Sequence, residues 1–172
     1  SFLILLLAFT LNVKAQDSGL TEAFRKSYSL EKDGEYAKAA NVLKASKSEN
    51  HYYISLRLGW LMYMAGSFQE SAAHYKKAIQ QMPLSIEARL GLVLPLSAMG
   101  NWDQVVTQYL EILKTDPNNS TANYRLAMIY YNRSDFQKAF RHLEIVVNHY
   151  PFDYDSLILF AWTHLKLGKL SE

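Results

Sequence analysis

The sequence predicts an all-α fold, a solenoid of stacked antiparallel helix pairs, and three observations carry that prediction. Glycine punctuation recurs every 34 residues, at Gly66, Gly100 and Gly168, with Ser134 completing the register. Prolines recur at the same spacing, at Pro83, Pro117 and Pro151. Between these marks, large apolar residues return in frame: Leu58, Leu92, Leu126 and Phe160, and again Phe68, Trp102 and Phe136. A fixed period of about 20 to 50 residues marks a repeat array, in which each unit buries its apolar face only against its neighbours.

The first element is not a repeat. The run from Phe2 to Val13 is apolar but falls short of the roughly 20 residues that a membrane span needs. Followed by Val13-Lys14-Ala15, it matches the apolar region and small-residue cleavage site of a secretory signal peptide. Residues 1–15 are therefore read as a partial signal peptide, and the mature chain is expected to begin at Gln16. The expected location is the periplasm or cell envelope of a bacterium.

Residues 16–172 read as one repeat domain, with repeats at about 20–51, 52–85, 86–119 and 120–153 and a partial repeat at 154–172. Each is a helix A, a glycine turn, a helix B and a proline-marked turn. Glycine just past helix A suits a left-handed C-cap, and "TDPNNS" at 115–120 is a strong turn cluster. Gly59 stands inside a helix A, where glycine costs roughly 1 kcal/mol relative to alanine, so it needs a packing reason. With Tyr52 as position 1, position 8 reads Ser27, Gly59, Val93, Ala127 and Ala161, and position 20 reads Ala39, Ser71, Val105 and Ala139. These are the small positions where helices A and B are expected to cross closely. Position 24 carries the larger Leu43, Tyr75, Tyr109 and Leu143 to fill the space around them. Pro95 in the third helix A removes the bond to the Gly91 carbonyl and predicts a kink. In the partial repeat, Leu157, Phe160, Leu165, Leu167 and Leu170 are too apolar for a solvating cap, which predicts further chain after Glu172.

With this period and this pattern of small and large positions, the chain resembles the tetratricopeptide repeat family over about residues 20–172. One departure is plain: the family's tryptophan at position 4 is replaced by Ala23, Ser55, Arg89, Asn123 and Leu157. The resemblance implies a right-handed superhelix whose A helices line a concave, protein- or peptide-binding groove. On that frame the groove candidates are Tyr53, Arg57, Trp60 and Tyr63 in the second repeat, Tyr124, Arg125 and Tyr131 in the fourth, and Trp162 in the fifth. Aromatic residues and arginine are the types enriched at binding hot spots. The competing reading is that some of these rings pack between adjacent repeats. Arginine stands at position 6 in three repeats (Arg25, Arg57, Arg125), to grip carboxylates or to satisfy tyrosine hydroxyls. Chaperone-binding members clamp a C-terminal carboxylate with lysine, asparagine and arginine. Phe24, Tyr28 and Glu87 stand at those positions here, which argues against that ligand.

Other function classes find little support. The formal net charge is +2, without a lysine- or arginine-rich run, so the footprint of a nucleic-acid binder is missing. There is no cysteine, which excludes a disulfide scaffold. The five histidines form no i, i+4 pair or metal-protease motif, and no nucleophile elbow or phosphate-binding glycine loop occurs. The expectation is therefore a protein-binding scaffold without enzyme activity, cofactor or metal. Any membrane contact would run through the leader or a further C-terminal region. Two alternatives are the periplasmic arm of a longer outer-membrane assembly or polysaccharide-export protein, and the regulatory domain of an enzyme whose catalytic part lies beyond residue 172.

Overall fold

The structure is a computed structural model that describes residues 19–46 and 51–168. The leader at residues 1–15 and Leu170 lie outside the described residues. Among those described there are helices and no strands, so the fold is all-α as expected. The helices are α1 (residues 19–32), α2 (Tyr36–Lys44), α3 (Tyr52–Met64), α4 (Phe68–Gln81) and α5 (Ile86–Ala98), then α6 (Trp102–Thr115), α7 (Ser120–Asn132), α8 (Phe136–His149) and α9 (Tyr154–Lys166). No described helix is long and apolar enough to cross a membrane. By packing, the chain divides into two compact units, Ser1–Met99 with α1 to α5 and Gly100–Glu172 with α6 to α9.

The turns follow from the repeat register. Gly34, Gly66, Gly100 and Gly168 have φ of 77°, 77°, 72° and 72°, and Ser134 takes the same left-handed conformation at 60°. After α3 the Gly66 N–H donates to the Tyr63 carbonyl at 3.0 Å and the Ser67 N–H to that of Met62 at 2.9 Å. These two bonds satisfy carbonyls that the helix end leaves open. The same pair closes α7, from Ser134 to Tyr131 and from Asp135 to Tyr130, both at 2.9 Å. Helix starts are capped in register too. The side chains of Ser85, Asn119 and Asp153 accept the backbone N–H of the residue three places on, at 3.0, 3.0 and 3.1 Å, which satisfies one open donor each.

In the first unit, Gly59 has its packing reason. The Ser71 hydroxyl donates to the Gly59 carbonyl at 2.7 Å, a distance that requires α3 and α4 to approach closely there. A Cβ on Gly59 would lie 2.8 Å from the Tyr75 ring, and one on Gly91 only 2.1 Å from its Cε1. The ring of Tyr75, 4% exposed, thus lies against the backbones of α3 and α5 together. The α5 helix continues through the buried Pro95 to Ala98, and the Pro95 carbonyl accepts from the Met99 N–H at 3.0 Å.

In the second unit, Asn123 occupies the position where the family carries tryptophan, and it is fully buried. Its Nδ2 donates to the carbonyls of Pro117 at 3.0 Å and Asn119 at 3.1 Å. That leaves Oδ1 as acceptor, so His142 Nδ1, 2.8 Å away, carries the proton. The imidazole stacks on Tyr130, with centroids 5.7 Å apart and planes 8° apart. Burial pushes the His142 pKa below its ordinary value.

Two stability outcomes are expected. Gly91→Ala should destabilise the first unit by about 1–3 kcal/mol through overpacking, although alanine is the better helix former. Adding Tyr75→Leu should recover most of that loss, as urea titration of the single and double variants would show. In the second unit, left-handed geometry costs a non-glycine residue roughly 1–2 kcal/mol. Ser134→Gly should regain about half of that after glycine's larger unfolded-state entropy is counted, read as a higher melting temperature.

Candidate functional site

The first unit carries a cleft of about 630 Å³. Its α3 wall is made by Tyr53, Leu56, Arg57 and Trp60, whose i, i+3, i+4, i+7 spacing sets them on one helix face. Phe24 and Tyr28 of α1, Tyr75 of α4, and Glu87 and Gly91 of α5 complete the lining. The three residues at the carboxylate-clamp positions, Phe24, Tyr28 and Glu87, thus share one cleft. Tyr63 packs instead against Trp60 and Phe68, with ring centroids at 6.1 and 5.7 Å.

The carboxylate gripped by Arg57 belongs to the chain itself. Its Nη2 donates to one oxygen of Glu31, and the Trp60 Nε1–H donates to the other at 2.6 Å. The guanidinium also lies 3.9 Å from the centroid of the Tyr28 ring, a cation–π contact. The Arg57 side chain is 10% exposed and that of Glu31 22%. Burial raises the Glu31 pKa, but the hydrogen bonds from Arg57 and Trp60 and the Arg57 charge outweigh it, holding the carboxyl below its ordinary value. With that pair internally neutralised, the charge left on the cleft is Glu87. Its side chain is exposed, and among the described residues no cation forms an ion pair with it. A second cleft of about 550 Å³ shares Tyr53 and Glu87 and continues over Met82, Pro83 and Leu84. Tyr53 is 60% exposed and Leu84 76%.

In the second unit, Tyr124, Met128 and Tyr131 stand at i, i+4, i+7 on α7 and face Asp155, Ile158, Leu159 and Trp162 of α9 across a cleft of about 290 Å³. A neighbouring cleft of about 260 Å³ shares Tyr124 and Asp155. Trp162 is 53% exposed. Tyr131 is braced edge-on by Phe136 at 5.3 Å, while the corresponding Tyr63–Phe68 pair of the first unit is tilted, with planes 46° apart. Arg125 is exposed, with its guanidinium 5.9 Å from the Tyr124 ring centroid. Among the described residues no carboxylate pairs with it. Burial, then the charge of Asp155, raises the Tyr124 pKa.

Of the candidates, Tyr53, Arg57 and Trp60 meet in one cleft and Tyr124, Tyr131 and Trp162 in another; Arg125 stands beside the second. Glu31 was not among them. Its sequence signal is an acid in the last turn of a helix, where the dipole disfavours it unless a cation compensates. Gly91 was missed as a wall residue, although it interrupts the arginine seen at position 6 of three repeats. No group of three potential metal ligands comes together among the described residues.

Models of the tetratricopeptide repeat match residues 24–86, 62–122 and 108–141. Among curated proteins, the TPR repeat-containing thioredoxin TTL4 of Arabidopsis thaliana is 29% identical over 62% of this chain. The inactive TPR repeat-containing thioredoxin TTL3 of the same plant is 33% identical over 64%. The match spans only 16% of the length of each relative. Among solved structures, a MamA protein superposes with a TM-score of 0.76 at 15% identity, covering 89% of this chain and 85% of that one. MamA from Desulfovibrio magneticus RS-1 gives 0.74 at 14% identity, covering 88% and 86%. At such identities the likeness is one of fold.

The Arg57 cluster yields a stability prediction. Arg57→Ala strands the Glu31 carboxylate and should destabilise the first unit by roughly 2–4 kcal/mol at pH 7. Because the folded pKa of Glu31 is lowered, the contribution is complete above the ordinary carboxylate range, at about pH 4.3, and is lost as pH falls through the lowered value. The gap between wild type and variant should therefore close on acidification below about pH 4. Chemical denaturation across that range checks it.

Proposed function

The chain belongs to the tetratricopeptide repeat family, and from that premise we propose that it is a protein- or peptide-binding adaptor of a bacterial cell envelope. The fold is that of a repeat scaffold, typically non-catalytic, and proteins of this family generally bind proteins or peptides. The observation that carries the reading is the first-unit cleft. Its size falls within the roughly 300–1,000 Å³ of ordinary ligand sites, and its wall is a row of aromatic side chains. Rings give much contact area at low entropic cost, which is why they dominate binding hot spots. The envelope location rests on the apolar run Phe2–Val13 and the Val-Lys-Ala pattern after it.

The geometry divides the aromatic candidates by task. Trp60 is tied to Glu31 and packs on the core around Leu58 and Leu61, so its loss would disturb the fold as well as the surface. Tyr53 and Trp162 project most of their area to solvent and are the better probes. Tyr53→Ala and Trp162→Ala should each cost about 2 kcal/mol of partner binding while leaving the melting temperature within a degree or two. Lys76→Ala, on the exposed side of α4, is the control. Pull-down from the envelope fraction, followed by titration of the recovered partner, makes the comparison. If both aromatic variants bind that partner as well as the control does, the helix A faces are not the binding site. Finding the chain only in the cytosol, with Phe2–Val13 retained, would defeat the location.

A further inference from the structure

Building on the reading of the first-unit cleft as a peptide site, we propose that its occupant is an extended segment presenting one basic side chain to Glu87, with apolar side chains on either flank. The first support is charge. Arg57 is largely buried and paired with Glu31, whose second oxygen is held by Trp60. The ionised group this wall still offers to a ligand is therefore Glu87, exposed on the first turn of α5. An acidic or C-terminal carboxylate ligand would meet repulsion there, and the one cation among the described lining residues of this cleft, Arg57, is already paired with Glu31.

The second support is the chemistry of the rings. Tyr53 stands beside Glu87 at the lip of both first-unit clefts, largely open to solvent. An aromatic face next to a carboxylate suits an ammonium or guanidinium, which gains from the ring's quadrupole and from the opposite charge. The cleft already contains such an arrangement, since the Arg57 guanidinium lies over Tyr28 and binds Glu31. The third support is the setting. Apolar recesses extend from Glu87 both ways, one towards Phe24 and Leu56, the other over Met82 and Leu84. A basic residue with apolar neighbours fits that sequence of surfaces. The second unit provides a contrast. Asp155 holds the same repeat position as Glu87, but Arg125 stands beside Tyr124 with no carboxylate partner among the described residues, so both signs are on offer there.

The test uses the whole chain and three capped pentapeptides, Leu-Phe-Arg-Phe-Leu and its counterparts with glutamine or glutamate at the centre, titrated by calorimetry. The arginine peptide should bind about tenfold tighter than the glutamine peptide, and the glutamate peptide weakest; tenfold corresponds to one favourable, partly screened charge contact. Glu87→Gln should bring the arginine and glutamine peptides within about twofold of each other while leaving the glutamine peptide's affinity unchanged. Glu87→Lys should reverse the order. Glu87 is exposed, so neither variant threatens the fold. Equal affinity for all three peptides overturns the proposal, as does an arginine preference that survives Glu87→Gln, or no binding by any peptide. If the three bind equally and Tyr53→Ala abolishes them, the cleft remains a peptide site and only its charge preference is wrong. If none binds and the envelope partner is still captured by Tyr53→Ala, both readings fall. Self-association lost on Glu87→Lys without peptide binding would give the cleft to a second copy of the chain, and would also overturn the proposal.

Discussion

The first unit depends on one ring held against two backbones. Tyr75 lies over Gly59 of α3 and against Gly91 of α5, at distances where even a methyl group on either glycine would collide with it. Each glycine weakens its own helix by about 1 kcal/mol relative to alanine, and the burial of a large aromatic side chain offsets that several times over. The same constraint shapes the surface. Position 6 of three repeats carries an arginine, and in the third repeat it carries Gly91. With no side chain there, the wall above Tyr75 stays open and becomes part of the cleft. Packing and cleft thus share a cause.

The residues that look most like binding groups in the sequence are not equally free to bind. Arg57 and Trp60 have the right chemistry and face the cleft, yet both are tied to Glu31. Their effect on a ligand is indirect: they shape the wall, and Glu31 cancels the positive charge of Arg57 that would otherwise dominate it. The surface that remains is aromatic with one exposed carboxylate, in a chain whose formal net charge is +2. Overall charge is therefore a poor guide to this cleft. The local pairing decides its sign.

What the sequence revealed well was whatever is fixed by local backbone geometry. The left-handed turn at Gly66 recurs at Gly100, Ser134 and Gly168 because one chain conformation recurs, and even the non-glycine Ser134 was legible by register alone. The N-caps at Ser85, Asn119 and Asp153 repeat at the same spacing and were readable in principle as three capping residue types in a row. What stayed hidden was which side chains meet across repeats. Nothing near Glu31 announces Arg57, which is 26 residues away. The buried Asn123–His142 bond replaces an expected aromatic contact with a polar one, and only the satisfied hydrogen bonds show why asparagine is tolerated there. Periodicity reports the frame, while pairing depends on two residues varying together.

That distinction also accounts for how one scaffold yields two different surfaces. Arg57 and Arg125 hold the same repeat position, on helices of the same length. Arg57 finds Glu31, at position 12 of the repeat before it. Among the described residues no carboxylate pairs with Arg125. One arginine is part of the wall, and the other is exposed beside Tyr124. The backbone period supplies equivalent places, and whether a carboxylate reaches each place determines whether a charge is absorbed or presented. Specificity in such an array does not require a new fold element, since one carboxylate such as Glu31 changes what a cleft can attract.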